Sequence, residues 1–310
     1  MLRTVPPVVL ALGLACAGDP TGPRPDPQLP PPGPDVQQPF PIDRGDDADT
    51  PGTYKGLWLR LVDTGEPTVT PVDGVIGVVC LGMSNAQQEC GTFVQRAQGE
   101  WSGAIAPAVR VVNCAVGGHA IERWIDPAFD ATLWEDCTDR RLPQAGVRLE
   151  QVRVIHHKAA NQFTRASDGS ALPTYPAPGS DYEHVLANLT AFADRVRTWF
   201  PAVQAVYTTS RSYGGFANNA GRGEPLSYEE GHGLNTWLRE LAPPDGVWYG
   251  WGAYLWAPAC ADGVVNGRGI CYERDDFVSD GVHPSDAGRA KIAGLMHERF
   301  LEHAWYRLAP

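Results

Sequence analysis

Val75-Ile76-Gly77-Val78-Val79-Cys80-Leu81-Gly82-Met83-Ser84 is the stretch on which the fold turns. Its first seven residues form an unbroken apolar run rich in β-branched side chains, the pattern of a strand buried on both faces of a parallel sheet. A helical stretch follows over about 86–98. The alternation then repeats. Residues 109–113 and 152–156 read as second and third strands, and 182–200 carries apolar residues at helical spacing. Residues 203–208, entered through Pro201, read as a fourth strand. Residues 228–241 read as a helix, and 247–256 as a fifth strand with its exit. The last helix spans 285–306, with Ser285 as N-cap behind Pro284. This order predicts an α/β fold, a three-layer α/β/α sandwich on a mainly parallel sheet of about five strands.

Such sheets bind ligands outside the carboxyl ends of their strands, so the residues that follow each strand carry the functional reading. Gly82-Met83-Ser84-Asn85 follows the first strand and Ala115-Val116-Gly117-Gly118-His119 the second. Lys158-Ala159-Ala160-Asn161-Gln162 follows the third, and Asp280-Gly281-Val282-His283-Pro284-Ser285 precedes the last helix. A serine hydroxyl needs a base to take its proton, and histidine serves near neutral pH. A carboxylate on the far ring nitrogen fixes the tautomer and stabilises the imidazolium. Backbone N–H groups and an asparagine amide suit the oxyanion of acyl transfer, where losing one donor typically costs about 100–1000-fold in rate. Each residue also has a plainer reading. Ser84 caps a helix, the glycines make a tight turn, Asn161 bonds its own loop, and Asp280-Gly281 is a surface turn. The ordered coincidence at successive strand ends is what favours chemistry.

These blocks resemble the SGNH (GDSL-like) hydrolase superfamily: a Ser after strand one, a Gly after strand two, an Asn after strand three, and Asp-x-x-His before the last helix. The resemblance covers nearly all of 75–300 and implies an SGNH hydrolase or flavodoxin-like sandwich. It implies Ser84 as nucleophile with Asp280 and His283 completing the triad, and Ser84, Gly118 and Asn161 as the oxyanion hole. The second block, Ala115-x-Gly117-Gly118-x-x-Ile121-x-x-Trp124, is similar to sialate and acetylxylan esterases, nearest to carbohydrate O-acetylesterase-like secreted bacterial members. The first block departs from the usual Gly-Asp-Ser or Gly-Gln-Ser at Met83, and the third from Gly-x-Asn-Asp. Gly82-Met83-Ser84-Asn85-Ala86 also nearly spells the nucleophile elbow of α/β-hydrolases, but there acid and base lie on separate loops rather than three residues apart.

Around this core, Met83, Asn85, Gly117, His119, Gln162, Arg211, Glu230, His232 and Trp256 are candidate substrate-binding residues. Residues 213–232 read either as a functional loop over the site or as a surface insertion. Trp248, Trp251, Tyr254 and Trp256 read either as a sugar-binding groove or as core, about half of them core.

The chain has 310 residues, 43% hydrophobic and 20% charged, and a net charge of −11 with no basic cluster, which argues against nucleic acid and anionic lipid as partners. Residues 1–18 read as a signal with Arg3 ahead of a short apolar run, too short to span a bilayer. Ala15-Cys16-Ala17 fits ordinary cleavage. Leu12-Gly13-Leu14-Ala15-Cys16 resembles a lipoprotein box with Cys16 lipidated, the favoured reading because a spacer follows directly. Residues 19–53 form that spacer, a Pro- and Asp-rich tether with ten prolines from Pro20 to Pro41. Residues 54–310 form the hydrolase domain; residues 53–310 hold 22 Lys and Arg against 29 Asp and Glu, a net −7. Six cysteines besides Cys16 suit an oxidising compartment, Cys260–Cys271 being the first pairing to expect, with Cys80 and Cys114 alternatively free thiols on apolar strands.

The expectation is an exported serine esterase, in the cell envelope or secreted, that deacetylates O-acetylated carbohydrates or acts on another small-molecule ester. No metal or organic cofactor is expected, and membrane contact only through the lipid anchor. The alternatives are a lipase or thioesterase of the same fold, and a non-catalytic glycan-binding surface lipoprotein.

Overall fold

The computed structural model describes residues 61–308 apart from 159, 163–169, 171, 174–177, 225, 264 and 267–268. The expected signal, Cys16 and the tether lie outside the described residues. Five strands, β1 (Ile76–Leu81), β2 (Val109–Asn113), β3 (Val152–Lys158), β4 (Ala205–Thr209) and β5 (Trp248–Trp251), form one sheet in the order β2-β1-β3-β4-β5. Every pairing is parallel, with Cys80 in register with Asn113 on one side and His156 on the other. The chain steps from β1 to one side for β2 and to the other for β3. That makes the crevice at the carboxyl ends of β1 and β3 the topological switch point, where α/β sheets take their ligands.

The alternation of side chains along each strand divides the interior into two cores. Ile76, Val78 and Cys80 of β1, Val154 of β3, and Ala205 and Tyr207 of β4 pack with Phe93, Ile292, Met296 and Phe300. Those partners come from α1 (Ser84–Gln98) and α6 (Asp286–Leu301). Val79 and Leu81, Ile155 and Val206 point the other way, onto Leu189, Phe192 and Val196 of α4 (Asp181–Trp199) and Leu234 of α5 (Leu226–Thr236). Two short helices, α2 (Ile121–Trp124) and α3 (Leu142–Gln144), and a π-helical stretch, Ala131–Arg141, fill the passage from β2 to β3. The sandwich thus has three layers. Each fully buried Leu, Val or Phe contributes about 1.5–3 kcal/mol relative to exposure.

Several boundaries differ from the reading above, among them the last helix, which ends at Leu301 rather than 306, and the fourth strand, which is Ala205–Thr209. β3 runs on to Lys158 because His156, His157 and Lys158 are all buried and paired with β4. β5 stops at Trp251, and 252–256 leaves the sheet as a buried irregular segment. The 228–241 helix begins at Leu226 and becomes a π-helical turn, Trp237–Leu241. Ser285 does cap α6, accepting from the Gly288 N–H at 3.3 Å. Among the described residues no helix is long and apolar enough to cross a membrane.

All six described cysteines are bridged, as Cys80–Cys90, Cys114–Cys137 and Cys260–Cys271. The expected Cys260–Cys271 pair is among them, and the free-thiol reading of Cys80 and Cys114 does not hold. The Cys80–Cys90 bridge closes the loop that contains Ser84, tying the end of β1 to α1.

Candidate active site

β1 ends at Leu81, and the chain must reverse within two residues to start α1 at Ser84. Gly82 allows this. Its φ is +135°, and a Cβ there would stand 2.9 Å from the Ala86 Cβ. Met83 occupies the N-cap position and makes no side-chain cap, so Ser84 is the first helical residue rather than the cap. Its hydroxyl is therefore not spent on the helix. Ser84 Oγ lies 2.7 Å from His283 Nε2.

On the other side of the ring, His283 Nδ1 is 2.5 Å from Asp280 Oδ2. Asp280 Oδ1 accepts from the Val282 and His283 N–H groups at 2.9 and 3.0 Å, so the carboxylate closes its own turn. A carboxylate on Nδ1 selects the tautomer with its proton there, leaving Nε2 to accept from the serine. Burial pushes the Asp280 pKa up, but the His283 ring and the two N–H donors outweigh it and hold the carboxyl below its ordinary value. Gly281 lets the turn close against its neighbour. Its φ is +70°, and a Cβ there would fall on the Phe216 carbonyl. Asn218 holds the same turn, donating its N–H to the Asp280 carbonyl at 3.0 Å and its amide to the Ser279 carbonyl at 2.7 Å. The loop after β4 thus packs against the Asp280–His283 turn, while 226–232 belongs to α5.

Of the expected oxyanion donors, Ser84 sits at the first position of α1, where an N–H has no intrahelical carbonyl to meet. Gly117 lies against it, a Cβ there being 3.8 Å from the Ser84 Cβ, and Gly118 is exposed in the same turn. Asn161 is a correction. It is wholly buried, and its amide donates to Asp181 Oδ1 at 2.9 Å and the Asp181 carbonyl at 3.3 Å. Its side-chain oxygen accepts from Asn188 at 2.8 Å. As placed, Asn161 braces α4 and has no amide hydrogen left for an oxygen beside Ser84.

The candidate binding residues divide. Met83, Asn85 and Arg211 line a cleft beside Ser84 and the Asp280–His283 turn. His119 stays at the Gly117 turn, its Nδ1 donating to the Gly117 carbonyl at 2.8 Å and its ring edge-on to Phe129. The amide of Asn85 is already taken by the Val282 carbonyl at 2.9 Å. Gln162 gives its N–H to the Glu122 carboxylate at 2.8 Å. Arg211 and Glu230 form an internal ion pair at 3.0 Å that also grips the Asn161 backbone. Burial lifts the Glu230 and Asp181 carboxyls, with the Arg211 charge opposing. His232 is buried within α5, and burial lowers its pKa to about 3. Trp256 is also a correction. It is 1% exposed and its Nε1 donates to Glu224 at 3.0 Å, so it belongs to the core. Trp251 and Tyr254 are buried too, and the half-buried Trp248 donates to the Thr64 carbonyl, so these four rings form no sugar platform.

Two features escaped the sequence reading. Lys158 at the end of β3 donates to Glu89 of α1 at 2.6 Å, with both side chains almost completely buried. Glu89 lies five residues beyond Ser84, and the one available signal was a charge on the helix face that its apolar neighbours bury. The second is Asn85 as a strap between helix and histidine turn. Among the described residues no cluster of His, Cys, Asp and Glu is placed to hold a metal ion.

No protein-family model matches the chain, and no curated protein does. Solved structures do. A GDSL-like lipase from Bacteroides thetaiotaomicron is 11% identical over 76% of this chain and 92% of its own, with a TM-score of 0.40. An acetylxylan esterase from Geobacillus stearothermophilus is 12% identical over 76% of this chain and 97% of its own, with a TM-score of 0.42. These are likenesses of architecture, and they bring no residue role or substrate to this chain.

Proposed function

We propose that this chain is an exported serine esterase of SGNH type, working through an acyl-enzyme. The observation that carries the reading is the continuous hydrogen-bonded path Ser84 Oγ–His283 Nε2, His283 Nδ1–Asp280 Oδ2. His283 takes the Ser84 proton as the hydroxyl oxygen attacks the ester carbonyl carbon. It returns that proton to the leaving alkoxide, which departs as an alcohol and leaves an acyl-Ser84. Water, deprotonated by His283, then attacks the acyl carbon; the acyl–Oγ bond breaks, His283 returns the proton to Ser84 Oγ, and the acid is released. Asp280 keeps the ring oriented and offsets its charge. The Ser84 N–H and the Gly117-Gly118 turn supply the oxyanion donors, and Asn161 acts one shell back by bracing the loop.

Three disulfides support export to an oxidising compartment, and the lipid anchor at Cys16 remains part of the proposal. An O-acetylated carbohydrate is the proposed substrate class, supported by the second sequence block alone, because Trp251, Tyr254 and Trp256, which read as either groove or core, are buried. The test is labelling by a fluorophosphonate with peptide mapping, together with hydrolysis of p-nitrophenyl acetate. A folded Ser84→Ala protein should lose both. Hydrolysis that persists in that variant would remove the reading, and so would label found on another residue.

A further inference from the structure

A narrow cleft, open at its mouth and offering about 20 Å³ to the centre of a water-sized group, lies beside Ser84 and the Asp280–His283 turn. One wall is Met83 and Asn85, the residues on either side of Ser84, and another is Gly281 and Val282, the residues between Asp280 and His283. Lys158, Arg211 and Arg222 also line it, with no Asp or Glu among the described lining residues. This is a local inversion of charge, since the chain as a whole carries −11.

The three cations are not equivalent. Lys158 is neutralised by Glu89, and Arg211 by Glu230. Arg222, half-buried on the loop after β4, has no carboxylate partner among the described residues. The hydroxyl-bearing Ser212 and Ser227 line the same space. A guanidinium with neutral donors around it matches the oxygens of a carboxylate, sulfate or phosphate group, and binding there is charge-assisted.

We propose that this cleft seats an oxyanion substituent of the ester substrate, with Arg222 as its charge partner. The proposal rests on the esterase reading for its role in catalysis, and it narrows the substrate to acidic carbohydrate esters. An anionic substituent held by Arg222 selects against neutral sugars once substrates compete. The scale for one charge-assisted contact is about 10- to 100-fold in affinity.

The test is calorimetric binding of glucuronate, glucose 6-sulfate, glucose 6-phosphate and glucose to the full chain, with p-nitrophenyl acetate hydrolysis read separately. At least one anion should bind about 10-fold or more tightly than glucose, the difference shrinking in high salt. Which anion leads identifies the substituent. Arg222→Ala should erase the difference and Arg222→Lys should keep part of it. The comparison of ligands within one protein cancels any loss of folded material. Equal affinity for glucose and the anions overturns the proposal, as does an anion preference that survives in Arg222→Ala. A preserved anion preference without ester hydrolysis would instead sink the esterase reading and leave the cleft standing.

Discussion

The Asn85 amide donates to the Val282 carbonyl at 2.9 Å, pinning the first turn of the Ser84 helix to the residue before His283. The two residues are 197 positions apart, so this contact fixes the distance across which Ser84 Oγ reaches His283 Nε2. Misplacing reacting groups by about 1 Å can cost roughly 100-fold. Asn85→Ala should therefore lower kcat by about 10- to 100-fold with a smaller change in KM. A shift confined to KM would make Asn85 a substrate contact instead.

Asp280→Asn removes the charge but keeps the shape of the turn. The analogous change in serine proteases drops kcat about 10,000-fold by favouring the wrong tautomer, and a fall of about that order is expected here. The same carboxyl has its pKa depressed in the fold, so it stabilises the native state above its unfolded value of 3.8 and that contribution fades as pH falls below it. Thermal melts of the two proteins should differ at pH 7, and the gap should shrink as pH falls below 3.8. A constant gap across that range would contradict the account.

Burial holds three histidines neutral, lowering His156 to about 4 and His157 and His232 to about 3. The unfolded chain protonates these rings below 6.5 while the folded one resists, so stability drops as pH falls from about 6.5 toward 4. Melting temperature should decline over that interval, these three rings contributing an uptake of about three protons on unfolding near pH 5. A flat profile between pH 7 and 5 would show that these rings are not buried as described.

The Lys158–Glu89 pair should be unforgiving of single changes. Lys158→Met strands a buried carboxylate and should cost about 3–5 kcal/mol, measured by urea unfolding. Adding Glu89→Leu should recover much of that loss. If the double variant is as unstable as the sum of the two single ones, the pair is not the interaction that matters.

Much of this was legible in one dimension, for reasons visible residue by residue. The run from Ile76 to Leu81 announces a two-sided strand because both faces are apolar, and the strand ends were enough to bring Ser84, Asp280 and His283 under one reading. Asn161 was misread because a motif gives position along the chain but not side-chain direction, and Asp181 and Asn188 that capture it lie 20 and 27 residues away. Trp256 was uncertain for a related reason, since a tryptophan serves equally as platform or core until its N–H finds a partner such as Glu224. Helix α5 hides its buried Glu229, Glu230 and His232 from any amphipathic pattern, because α5 is covered all round and its polar groups are matched by partners distant in sequence, such as Arg211. Of the disulfides only the short-range Cys260–Cys271 pair was legible as a pair; Cys80–Cys90 and Cys114–Cys137 join strands to helical segments that sequence alone does not bring together.

The central claim is that Ser84 is a nucleophile activated by His283. The most direct measurement is mass-spectrometric mapping of a fluorophosphonate adduct on the intact protein, with His283→Ala as the companion. The account predicts one adduct, on the peptide holding Gly82-Met83-Ser84, with a labelling rate that falls by orders of magnitude in the variant. No adduct on a protein shown to be folded would contradict it, and so would labelling that is indifferent to His283.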